Sequence, residues 1–160
     1  MTFHTKSRPI ALAALVAGLA FALPAFAQDD GASMAADDTP AAHNSLYEKK
    51  LAIALTTPVT VREMLHCSAV WDRWTYVVES AADPAFKKGL RAELSVKNAK
   101  NRQRHWERMA RREMRGDDDE DYFEGSRDIA EREADKLYAA YASGSESGMA
   151  SMMGWLASCR

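Results

Sequence analysis

Eleven basic side chains crowd the stretch from Lys87 to Arg115, opposed only by Glu93, Glu107 and Glu113, so the segment carries a net charge of +8. From Asp117 to Lys136, ten acidic residues stand against Arg127, Arg132 and Lys136, a net of −7, with Gly116 at the changeover. A guanidinium is a planar, permanently charged fork that matches phosphate and carboxylate oxygens. Arg104, Arg108, Arg111 and Arg112 are therefore the candidate residues for holding an anionic partner. Two arrangements fit the pattern. In one, the basic and acidic segments form an antiparallel helix pair and neutralise each other across the turn, with exposed ion pairs worth about 0–1 kcal/mol each. In the other, a basic face stays free for lipid head groups, lipopolysaccharide, a wall polymer or an acidic protein.

The other chemistry-bearing residues are fewer. Cys67 and Cys159 are the two cysteines of the chain, and an even count outside the cytosol reads first as a disulfide. Free thiols or an intermolecular bridge are the alternatives. Asp117, Asp119 and Asp121 match the first three ligand positions of an EF-hand loop. Tyr122 then replaces the required glycine and Asp128 the bidentate glutamate, so a solvated acidic turn is the plainer reading. His66 adjoins Cys67, but neighbours on a helix do not face each other. His43, His66 and His105 lack metal-ligand spacing, and no metal or cofactor is expected. Met149, Met152 and Met153 are expected to pack a terminal helix rather than to offer an apolar or copper-binding face. No CxxC, HExxH, GxSxG or phosphate-binding glycine loop occurs, and nothing singles out a catalytic carboxylate pair.

The elements that must position these residues read as helices. Ser45 and Glu48 fit a capping box, which predicts a short helix to about Thr56 that buries Tyr47, Leu51 and Leu55. Thr60 and Glu63 fit a second one. Met64, Cys67, Trp71, Trp74, Val78 and Ala81 then recur at spacings of three and four, one sustained helical face that Leu65, Val70 and Val77 widen. This predicts the central helix, ending near Ala82. Asp83-Pro84 restarts a helix. Residues 84–115 form either one long helix or two with a break near Lys97 to Asn101. Ile129, Ala130, Ala134, Leu137 and Tyr141 mark a helix to about Ser143. Ser147 caps a last one carrying the methionines, Trp155, Leu156 and Cys159. Both cysteines lie on apolar faces, as an intramolecular bridge requires. No strand-like alternation appears, so the expected fold is all-α: a small bundle of four to six helices, closed by one disulfide.

At the N-terminus, His4, Lys6 and Arg8 precede an uncharged run from Ile10 to Leu23, and Pro24 leads into Ala25-Phe26-Ala27. This is the pattern of a cleavable secretory signal peptide over residues 1–27. The run is shorter than the roughly 20 residues a spanning helix needs, so no transmembrane anchor is expected after cleavage. Residues 28–43, rich in Asp, Ala and Ser, read as a disordered leader, and 44–160 as the helical domain. Losing Lys6 and Arg8 leaves 19 basic against 23 acidic side chains. That balance and an exported location argue against nucleic acid as a partner. The expected protein is secreted, periplasmic and a non-enzymatic binding protein. The alternative is a small periplasmic hydrolase whose site the sequence does not reveal.

Overall fold

The structure, a computed structural model, describes residues 39–54, 57–114 and 120–160. The expected signal peptide and residues 28–38 of the expected leader lie outside the described residues. Six α-helices appear among those described: α1 Pro40–Ile53, α2 Val61–Ser80, α3 Pro84–Gly89, α4 Val96–Glu113, α5 Glu120–Ala142 and α6 Glu146–Ser158, with a 3-10 turn at Ala92–Leu94. The expected all-α bundle with one disulfide is what forms.

The helix starts follow local chemistry. The Thr60 side chain accepts from the Glu63 backbone N–H, and the Glu63 carboxylate accepts in return from the Thr60 N–H, the reciprocal box that opens α2. Asp83 caps α3 with Pro84 in its first turn. Three expected starts are corrected. α1 is capped by Thr39, with Pro40 in the first turn, rather than by Ser45. The leader therefore does not reach residue 43: His43 is fully buried, its ring nitrogens 2.9 Å from the Thr39 carbonyl and 2.9 Å from the Tyr141 hydroxyl. The break in residues 84–115 lies at Leu90–Ser95, not at Lys97 to Asn101, and Ser95 caps α4. Ser145, not Ser147, caps α6.

α2 is the axis of the bundle. Cys67, Val70, Trp71 and Trp74 on it are fully buried, and such aromatic side chains remove about 150–250 Å² each from contact with water. α4 and α5 each pack along α2 rather than along each other, while α6 packs on α5 and α1. The antiparallel pairing of the basic and acidic segments is thus confined to the end of α4 and the start of α5, where Arg111 meets Glu120 and Arg127 meets Glu107; along the rest of their length both helices lie on α2. The reason is the width of the apolar surface of α2, which serves both helices. α4 buries only Ala99, Trp106 and Ala110, and α5 turns Phe123, Ala130, Ala134 and Tyr141 inward. Acidic residues of α5 accordingly meet α2: Glu133 pairs with Arg62, and Asp135 with Arg73 at 2.6 Å.

The Cys67–Cys159 disulfide spans 92 residues with its Cα atoms 5.3 Å apart. Beside it, the indole N–H groups of Trp71 and Trp106 both donate to the Cys159 carbonyl, each at 2.7 Å. One acceptor at the end of α6 therefore ties α2, α4 and α6 together. The Trp74 indole donates to the Leu94 carbonyl at 2.8 Å, a group made accessible because the chain leaves helical geometry there. Met152 and Met153 are fully buried and Met149 nearly so, which makes the methionines core.

Candidate anion-binding face

α4 has a narrow buried side and a wide basic one. At about 100° per residue, Ala99, Trp106 and Ala110 point into the bundle, and the direction opposite them is that of Arg108. Arg104 and Arg112 lie one turn to either side of it, and Lys97 continues the line toward the helix start. These four side chains are exposed. Asn101 and His105, both exposed, stand between the cations, so the outward arc carries no carboxylate. Glu107 sits on one flank, and Glu113, at the helix end, falls outside the arc.

The structure divides the expected arginines into two sets. Arg111 turns back to α5: its guanidinium lies 4.1 Å from the centre of the Phe123 ring and 3.3 Å from the Glu120 carboxylate. Arg127 stacks on the same ring at 5.0 Å and pairs with Glu107 at 3.1 Å. This cluster fastens the far end of α4 to the start of α5. Arg104 donates to the neutral Asn101 carboxamide at 2.7 Å and keeps its full charge. Lys97, Arg108 and Arg112 have no ion-pair partner among the described residues. Lys100, at the edge of the arc, is taken by Glu79 at 2.6 Å. Lys97, Asn101 and His105 were not singled out by sequence; stepping outward from buried Trp106 by the helical period places all three.

The field of this face registers on His105. Partial desolvation, and then the charges of Arg102, Arg108 and Arg112, hold its imidazole below the ordinary value, which favours the neutral ring. The surface is thus a row of fixed cations with neutral hydrogen-bonding groups between them. It can bind oxyanions, and it offers no exposed large apolar side chain.

Elsewhere the polar groups have structural work. A groove of about 430 Å³ between α1 and α6 is lined by Lys50, Ile53, Pro58, Glu63 and Trp155 among others. Glu63 is held below the usual carboxylate range by hydrogen bonds from the Val59 and Thr60 backbones and the Thr60 side chain, so it belongs to the cap of α2. A depression of about 230 Å³ contains Asp72, Arg73, Gln103, Glu107 and Arg127. There Asp72 accepts from Arg73 and Gln103, at 2.7 and 3.1 Å. The partial EF-hand match, set aside on sequence, gains nothing from the fold. Asp121 and Asp128 lie within α5, about 10 Å apart along its axis, too far to share one ion. Asp117 and Asp119 are outside the described residues. Among the described residues no cluster of three or more metal-ligating side chains forms, and no helix is long and apolar enough to cross a membrane.

Neither a family model, nor a curated protein, nor a solved structure matches the chain.

Proposed function

We propose that this chain is an exported, periplasmic helical protein that binds an anionic partner along the outer face of α4. The observation that carries the reading is the row of Lys97, Arg104, Arg108 and Arg112, exposed, without carboxylate partners among the described residues and on the side of the helix opposite its buried face. Holding like charges in line costs self-repulsion, which a bound polyanion relieves. Export is supported by the basic start, apolar run and Ala-Phe-Ala end of residues 1–27. The buried disulfide suits the same oxidising compartment.

The test is binding of residues 28–160 to anionic vesicles and to acidic wall polymers. The measurement is made at about 0.1 M and about 1 M salt, between which the screening length falls from about 10 Å to about 3 Å. Binding at the lower salt, loss at the higher and loss in the Arg104→Glu, Arg108→Glu, Arg112→Glu variant are expected. Binding to none of these surfaces at low salt defeats the proposal, as does binding that ignores both salt and the substitutions.

A further inference from the structure

Resting on that reading, we infer that the partner is a linear acidic polysaccharide, bearing a carboxylate on each sugar, laid lengthwise along α4. Three features of the face select this class. The first is its shape. Lys97, Arg104, Arg108 and Arg112 form one line rather than a patch, and the 15 helical steps from first to last span about 22 Å. Arg104, Arg108 and Arg112 follow one another at about 6 Å, a spacing suited to one charge per sugar-sized repeat.

The second feature is what lies between the charges. Asn101 and His105 are exposed on the same arc. Desolvation and the neighbouring arginines push the His105 pKa down, which favours the neutral ring, one nitrogen a donor and the other an acceptor. A polymer carrying hydroxyl groups between its carboxylates has use for such neutral groups, whereas a string of bare anions has none. The third is what the face lacks. The one Trp, Tyr or Phe of α4, Trp106, is buried, so nucleobases find no large aromatic platform there. The exposed large apolar side chains, Ile53, Val59, Tyr76, Tyr122 and Trp155, all lie outside α4, so the helix has nothing to insert below lipid head groups.

Oligogalacturonates of defined length are the probes, titrated calorimetrically against residues 28–160 at about 0.1 M salt. Affinity is expected to rise at least tenfold from the dimer to an oligomer that spans the row, and then to level off. It should fall at least tenfold when the carboxylates are methyl-esterified, and equally in the Arg104→Glu, Arg108→Glu, Arg112→Glu variant. Replacing the same three residues by Lys keeps the charge and loses the fork. That variant should bind more weakly than the wild type and more tightly than the reversal. Helical content and melting temperature establish that both variants fold. Affinity independent of length, or unaffected by esterification, overturns the inference. Stronger binding to anionic vesicles or to single-stranded DNA than to the long oligomer overturns it too, while leaving α4 an anion-binding face. No salt-sensitive binding to any of the three removes the basic-face reading as well.

Discussion

At the scale of single residues, the chain uses its polar groups in two ways. His105 reports the field of the candidate face. Because positive neighbours disfavour the imidazolium, replacing Arg108 by Gln should move the His105 pKa upward toward its ordinary value; a proton NMR titration reads this directly, and an unchanged value would show that Arg108 does not act on the ring. His66 is different. It is buried on α2, its ring edge-on to Trp155 with centroids 4.3 Å apart, and neither nitrogen makes a well-formed hydrogen bond to the described residues, the Ala130 backbone being a weak contact only. Burial lowers its pKa from 6.5, opposed in part by the Ala130 backbone and the Glu133 carboxylate 3.7 Å away and reinforced by Arg62. The unfolded chain therefore takes up the proton first. Stability associated with His66 is complete above about pH 6.5 and is lost as the pH falls toward the folded value. Denaturant unfolding between pH 7 and pH 5 should show this slope. The His66→Phe variant should be flatter, the residual slope having the same sign through His105.

At the scale of elements, caps and contacts explain what the sequence revealed and what it hid. The Thr60/Glu63 box and the Asp83-Pro84 start are readable because each combines a capping side chain with a second local signal. Thr39-Pro40 carries the same signal as Asp83-Pro84. It is obscured by the Asp- and Ala-rich residues around it, and with it the burial of His43, which depends on distant Trp74, Phe86 and Tyr141. The break before Ser95 is set by tertiary demand: the Leu94 carbonyl receives the Trp74 indole from another helix. Gly148 shows a similar non-local constraint. A methyl group there would fall on the Ala140 carbonyl, where α6 crosses the end of α5. Gly148→Ala should therefore cost about 1–3 kcal/mol, measured by chemical denaturation. Trp106→Phe keeps an aromatic six-membered ring but deletes one of two indole hydrogen bonds to the Cys159 carbonyl and leaves part of the indole volume unfilled, and about 1–3 kcal/mol of destabilisation is expected.

At the scale of the molecule, the bundle is an axis with helices arranged on it and one covalent tie. A loop of 92 residues is worth about 4–5 kcal/mol in the chain-entropy description, a large share of the roughly 5–15 kcal/mol that stabilises a domain. Reductant should lower the melting temperature clearly, and an unchanged value would deny the bridge a structural role. The apolar period of α2 made the core and the disulfide legible from sequence. The blocks of charge could not show which charges remain free, because that depends on which face each helix turns to α2: the same run supplies Arg111 to the Phe123 cluster and leaves Arg108 facing outward. That distinction is the centre of the account, and amide and arginine-side-chain NMR of residues 28–160 during titration with an acidic polymer tests it most directly. Shifts concentrated at Lys97, Asn101, Arg104, His105, Arg108 and Arg112, with Arg111 little changed, are the predicted result. Shifts confined to the groove between α1 and α6, or spread without preference over the surface, would contradict it.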